Sequence, residues 1–174
     1  MKLRPARPED EPFLRLLRGQ VDNDRLFMNQ WDGEDVEGEK RKILDLQFRA
    51  KSAHHNILRA GWETRENIVE MDAVPIGYFV VTGGGEELRL VEIAFMREWR
   101  GKGLGQMVIG ASMEECKKSG RVLRLCVEKT NVRALQFYAS MGFYAVDDMK
   151  HHLLLEWNSK GPTNGRLYSF APGK

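Results

Sequence analysis

Three groups of residues in this chain have the types and spacing to do chemistry. Arg100-Gly101-Lys102-Gly103-Leu104-Gly105 stands between a run of strand character and a run of helical character. Glycine lets backbone approach a ligand closely, and the first-turn N–H groups of a helix, aided by its dipole, bind anionic oxygens. The segment is therefore a candidate pyrophosphate cradle, although a plain tight connection has the same spacing. It is not a P-loop, because GxxxxGK[ST] is absent, and it follows a late strand rather than the first strand of a dinucleotide-binding βαβ unit. Glu92 is a carboxylate in an otherwise apolar strand (Leu90, Val91, Ile93, Ala94), where it serves as a proton acceptor, a salt-bridge partner or a solvent-facing residue. Glu128 ends a later strand run and is open to the same choice, with a solvated strand end as its plainer explanation. By spacing alone Tyr138 is a core aromatic in register with Ala134 and Met141, and Asn131 is a helix N-cap. Cys116 and Cys126 have no histidine or cation pattern beside them and are expected to pack as thiols. His54–His55 and His151–His152 are adjacent pairs without ligand spacing, and no CxxC accompanies them, so no metal site is expected.

The elements that must carry these residues follow from periodicity. Lys2 to Pro5 has strand character, and a helix from about Glu9 to Val21 turns Phe13, Leu14, Leu17 and Val21 inward. A polar, acidic stretch from Asp22 to Gly38 leads to a second helix pattern from about Val36 to Leu58. Beyond Gly61 the period shortens to that of strands: Ile68–Val69, Ile76–Val81 and Glu87–Phe95 form a meander turned at Asp72–Pro75 and at Gly83-Gly84-Gly85. A helix then runs to about Ser119, followed by a strand Val122–Val127, a helix Asn131–Met141, and two strands, Phe143–Asp147 and His151–Trp157. The order is β-α-α-β-β-β-α-β-α-β-β, a mixed α/β chain.

The whole is 174 residues long, 42% apolar and 30% charged, which suits one domain over residues 1–157 with an aperiodic tail at 158–174. Twenty-seven basic against twenty-five acidic residues leave a formal charge of +2, too balanced for nucleic acid or an anionic membrane as the main partner. No apolar run approaches the roughly 20 residues of a membrane span, and the opening MKLRPARPED lacks a secretory h-region. A cytoplasmic protein is expected. Leu167, Tyr168 and Phe170 in the tail are too apolar to be ordered in water alone, and are expected to be buried against a second copy in a homodimer rather than over the candidate ligand cradle.

The Arg-x-x-Gly-x-Gly loop at 100–105, the strand Leu123-Arg124-Leu125-Cys126-Val127 some twenty residues on, and the string N-x-x-A-x-x-x-Y-x-x-x-G-F from Asn131 to Phe143 together resemble the acetyl-coenzyme A binding core of the GNAT acetyltransferase superfamily. The element order is similar to that family's as well. The resemblance implies a mostly antiparallel twisted sheet with a V-shaped wedge between strands 4 and 5, in which coenzyme A lies. It further implies that pantetheine pairs with backbone at Ile93, Ala94 and Phe95. The pyrophosphate would rest on the amides of Arg100, Gly101, Lys102, Gly103, Leu104 and Gly105, with Gln106 contributing from the helix. Asn131, with Ala134 in the same motif, would contact pantetheine or a water. Tyr138 matches the family's general acid, which protonates the departing thiolate.

Acetyl transfer to an amine needs the neutral amine, and with a lysine-like pKa of about 10.4 only about a thousandth is neutral near pH 7. Glu92, Glu128 or a water relay is therefore expected to take the ammonium proton. Acetyl-CoA is the expected cosubstrate, with direct attack in a ternary complex preferred to an acyl-enzyme. The acceptor pocket implied by the resemblance is built from about Asp22 to Glu37 and Asp147 to Lys150. Its acidic residues favour a cationic small-molecule amine. A peptide or protein amine is the alternative within the class, and a non-catalytic coenzyme A binding module the alternative outside it.

Overall fold

A computed structural model describes residues 1–25 and 62–162, with the backbone alone at 22–25. Its elements are β1 (Lys2–Pro5), α1 (Glu11–Arg25), β2 (Glu63–Met71), β3 (Val74–Gly84), β4 (Glu87–Phe95), α2 (Leu104–Ser119), β5 (Val122–Glu128), α3 (Val132–Ser140), β6 (Tyr144–Asp148) and β7 (His152–Trp157). The expected helix at 36–58 and the tail residues Leu167, Tyr168 and Phe170 lie outside the described residues. The backbone of α1 runs on to Arg25, so Asp22 and Asp24 stand on the helix rather than in the connection that was expected to begin there.

The strands form one seven-stranded sheet in the order β1-β2-β3-β4-β5-β7-β6. β4 and β5 are parallel, with pairs Glu87↔Val122, Leu88↔Leu123 and Arg89↔Arg124, although the strands themselves run on to Phe95 and Glu128. β7 is inserted between β5 and β6, which sequence order alone does not reveal. Composition explains it: β7 carries the run Leu153-Leu154-Leu155, while β6 ends in Asp147-Asp148 and takes the edge, where charge discourages further pairing. The β6–β7 register shifts between Ala145 and Asp147, a bulge at Val146.

By contacts the chain divides into two compact units, Met1–Val80 with Glu92–Lys102 and Val81–Val91 with the residues from Gly103 onward. In the first, Leu17, Ile68, Val69, Ile76 and Val80 are fully buried. Arg4 ties β1 to its neighbours, donating to both Asp10 carboxylate oxygens at 2.7 Å and to Glu70 on β2 at 2.5 Å, while Asp10 also accepts the Arg7 N–H at 2.8 Å. A two-residue loop joins β2 to β3, and both of its residues, Asp72 (φ 51°) and Ala73 (φ 64°), are left-handed, as a hairpin turn matched to strand twist requires.

In the second unit β5 alternates, with Leu123, Leu125 and Val127 buried and Cys126 and Glu128 exposed. A charge ladder crosses four strands. Arg124 on β5 donates to Glu87 on β4 at 2.8 Å and to Glu156 on β7 at 2.7 Å, and Glu156 accepts the Tyr144 hydroxyl of β6 at 2.7 Å. Glu156 is buried, and this pairing is why a carboxylate is tolerated there.

Candidate active site

The glycine-rich segment begins in a short turn after β4. Trp99 N–H closes on the Met96 carbonyl at 2.9 Å and Arg100 N–H on the Arg97 carbonyl at 3.2 Å. The Arg100 amide is therefore occupied, whereas those from Gly101 to Gln106 donate to no backbone carbonyl outside α2 among the described residues. Gly101 (φ 74°) and Gly103 (φ 76°) are left-handed, and a Cβ on either would meet nothing closer than the Gln106 Oε1, 3.8 Å from position 103. What demands glycine at these two positions is the backbone angle, not crowding. Gly103 caps α2 without a side-chain hydrogen bond, and the first turn has no acidic residue, so the N–H groups of Leu104, Gly105 and Gln106 face no built-in carboxylate. Gly105, second in the helix, has no such conformational reason to be glycine.

Two side chains brace this turn in the first unit. Arg100 folds back so that Nε donates to the Phe95 carbonyl at 2.8 Å, and Lys102 Nζ lies 4.8 Å from the centre of the Trp99 ring. Ile93, Ala94 and Phe95 are the last three residues of β4, the latter two buried. Gly77 on β3 lies against them: a Cβ there would be 2.7 Å from both the Ala94 carbonyl oxygen and the Phe95 ring. That close approach, invisible in the sequence, fixes the end of β4.

Glu92 points into the first unit beside Arg18 of α1, with Oε2 3.6 Å from Nη2. Arg18 is 5% exposed and its guanidinium carbon stands 5.4 Å from the centre of the Tyr78 ring. Tyr78 in turn donates its hydroxyl to Glu66 Oε2 at 2.7 Å. The salt-bridge alternative for Glu92 is thus realised, with a partner the sequence reading passed over. A signal existed: positions 14, 17, 18 and 21 form one helical stripe, and a charge on an inward stripe needs a partner. Gln20, also on α1, accepts the Arg97 N–H at 3.0 Å.

The remaining expected residues lie in the second unit. Tyr138 is buried on α3, edge-on to Phe137 (5.2 Å between ring centres) and Phe143 (5.5 Å). No side chain among the described residues hydrogen-bonds its hydroxyl, and burial pushes its pKa up to about 12. Asn131 caps α3, its side chain accepting the Ala134 N–H at 3.1 Å, which commits that amide within the protein. Glu128 is exposed at the end of β5 opposite His152. Cys126 is exposed, and partial desolvation holds its thiol above the usual range, the wrong direction for a nucleophile. Among the described residues no group of three or more His, Cys, Asp or Glu could hold a metal ion, and no helix is long and apolar enough to cross a membrane.

Comparison with known proteins gives this arrangement its context. No protein of curated function matches the chain in sequence. Among solved structures the fold is similar to a PaiA N-acetyltransferase from Thermoplasma acidophilum in complex with coenzyme A, at 19% identity and a TM-score of 0.63 over 90% of this chain and 98% of that one. It is similar also to a spermidine N-acetyltransferase from Vibrio cholerae in complex with CoA and spermine (14%, TM-score 0.59, 91% and 95% covered). A third is a ribosomal-protein-alanine N-acetyltransferase from Brucella melitensis (17%, TM-score 0.55, 91% and 99% covered). At these identities the likeness is one of fold. Residues 24–143, more than half of the sequence, match the acetyltransferase (GNAT) family, and the chain belongs to that family of acetyltransferases.

Proposed function

We propose that this protein moves an acetyl group from acetyl-CoA to a primary amine of a small molecule by direct attack in a ternary complex. The observation that carries the chemistry is Tyr138, a largely buried phenol whose hydroxyl no side chain among the described residues engages and which burial keeps neutral. Its hydroxyl is committed to no side chain among the described residues, which leaves it available to a bound molecule. In this role Tyr138 gives its proton to the coenzyme A sulfur as the carbon–sulfur bond breaks and the carbon–nitrogen bond forms.

The uncapped, acid-free start of α2 and the left-handed glycines before it fit a pyrophosphate, whose oxygens would accept the amides from Gly101 to Gln106. Because the Arg100 amide closes its own turn, that residue contributes as a brace on Phe95. The backbone of Ile93, Ala94 and Phe95 would receive the pantetheine amides, with one acceptor direction at Phe95 already used by Arg100. Asn131 holds the first turn of α3 and with it the placement of Tyr138. Glu92 takes the proton that the substrate ammonium gives up before the neutral amine attacks and passes it to water, with Glu128, exposed, the weaker candidate for that step. The second nitrogen proton leaves after attack and restores the Tyr138 phenol through water.

A small amine is favoured by the acidic residues in the sequence between 22 and 37 and by Asp147, whose charges complement a cation, while Asp148 is paired with Lys129. The relatives by fold include enzymes whose names give spermidine and a ribosomal-protein alanine as acceptors, so peptide amines belong in the test. Free-thiol release from acetyl-CoA would be measured against spermine, putrescine, lysine, glucosamine and an alanine-initiated peptide. Turnover with one or more of the first four is expected. Release with the peptide alone would move the acceptor to protein, and tight acetyl-CoA binding without release against any would favour a binding module.

A further inference from the structure

Arg18 is a charged side chain on the inward stripe of α1, where a leucine or methionine would bury with far less loss of hydration. It is seated from two sides. The Tyr78 ring, itself fixed through its hydroxyl to Glu66, lies 5.4 Å from the guanidinium carbon, and Glu92 Oε2 lies 3.6 Å from Nη2. Residues of α1, β3 and β4 therefore meet at one guanidinium, with Glu66 of β2 acting through the Tyr78 hydroxyl. At 3.6 Å the pair is an ion pair rather than a short hydrogen bond, so the carboxylate is attracted and oriented without being fully engaged by that nitrogen. A glutamate side chain has three torsions, and a base must be held close to its productive geometry.

We propose that Arg18 is a positioning residue for the reaction: it holds the Glu92 carboxylate in the orientation from which it accepts the proton of the substrate ammonium. The proposal rests on Glu92 being that acceptor. Holding the carboxylate on the Arg18 side fixes the direction from which it receives the proton. The proton passes on to water, and Arg18 itself exchanges none. The same ion pair joins α1 to the end of β4, where Gln20 makes a second tie through the Arg97 N–H, so the helix supplies both the orienting charge and its support.

The test is a double-mutant cycle with Arg18→Met, Glu92→Gln and the double variant, using the amine from the panel above that turns over fastest. Arg18→Met is expected to lower kcat by roughly ten- to a hundredfold with KM for acetyl-CoA unchanged, Arg18→Lys to restore much of it, and Arg18→Met to add less than about twofold once Glu92 is Gln. Losses that multiply in the double variant would overturn the proposal while leaving Glu92 as the base. An undiminished rate in Glu92→Gln would instead overturn the role of Glu92 itself, and Arg18 with it. A crystal structure of Arg18→Met gives a readout that needs no acceptor: the Glu92 carboxylate is expected to leave its present place, and a carboxylate unmoved there would overturn the proposal.

Discussion

Tyr138, the proposed proton donor, owes its character to what is absent around it. Its phenol has lost water without gaining a hydrogen bond from a side chain among the described residues, and the charged form is penalised accordingly, which moves the pKa to about 12. The residue is then protonated throughout the range in which the enzyme works, as a proton donor must be. In the proposed role, the same loss of hydration would act on a thiolate leaving beside it, raising its affinity for a proton from a thiol value near 8.5 and narrowing the gap to the donor. Tyr138→Phe is expected to lower kcat by roughly 10- to 1000-fold and to leave acetyl-CoA binding near wild type, measured by steady-state rates and calorimetry. An equal loss of binding would make Tyr138 structural. Because the phenol stays neutral to about pH 11, no fall in kcat between pH 7 and 10 is expected from its ionisation.

At the scale of elements, the strand–turn–helix from β4 to α2 was the most legible part of the chain. Its alternation, its glycines and the following helical period all point to one structure, and β4 occupies the expected Glu87–Phe95. Gly105→Val tests it well. Position 105 is helical, and valine is no worse a helix former than glycine, so the fold should survive while the side chain fills the space a phosphate needs. Calorimetry is expected to show acetyl-CoA binding lost, and unchanged affinity would remove the cradle. Gly103 is a poorer place for the same test, since at φ 76° any side chain strains the backbone whether or not a ligand is present. The β2–β3 hairpin carries a local conflict of its own, an alanine at φ 64° where the turn favours glycine. Ala73→Gly is expected to stabilise the protein by about 1 kcal/mol, seen as a rise in Tm of about 2–4 °C. What could not be read ahead at this scale was spatial order. Nothing in a linear pattern says that β7 enters between β5 and β6, or that Gly77 is glycine because the end of β4 passes within contact of it.

For the whole molecule, the described fold keeps its charges by pairing them, and the pairs decide how it answers to acid. The Arg4 guanidinium, donating to Asp10 at 2.7 Å, is the largest cause holding that carboxyl below its usual value, and the Arg7 N–H adds to it. A folded-state value below the unfolded one, about 3.9, means that this stabilisation is complete above pH 3.9 and is lost as pH falls through the folded value. Asp10→Asn is expected to lower Tm at pH 7 and to lose that deficit as the pH is taken below 3, with thermal melts at both pH values as the measurement. A deficit that persisted unchanged in acid would mean that the side chain acts through shape, not charge. This network was not legible, because Glu70 is far from Arg4 and Asp10 in sequence and each has the look of an ordinary surface residue. Glu92 stood out as a carboxylate in an apolar strand, whereas its partner Arg18, inside an apolar helical stripe, was passed over.

The contact between Lys102 and Trp99 has an optical consequence. An indole with an ammonium 4.8 Å from its ring centre emits in the field of that charge, and Lys102 is also the cation nearest in sequence to the glycines of the cradle. In the proposed cradle, an anion that drew Lys102 away from the ring would change the field at Trp99, and indole emission would report its binding.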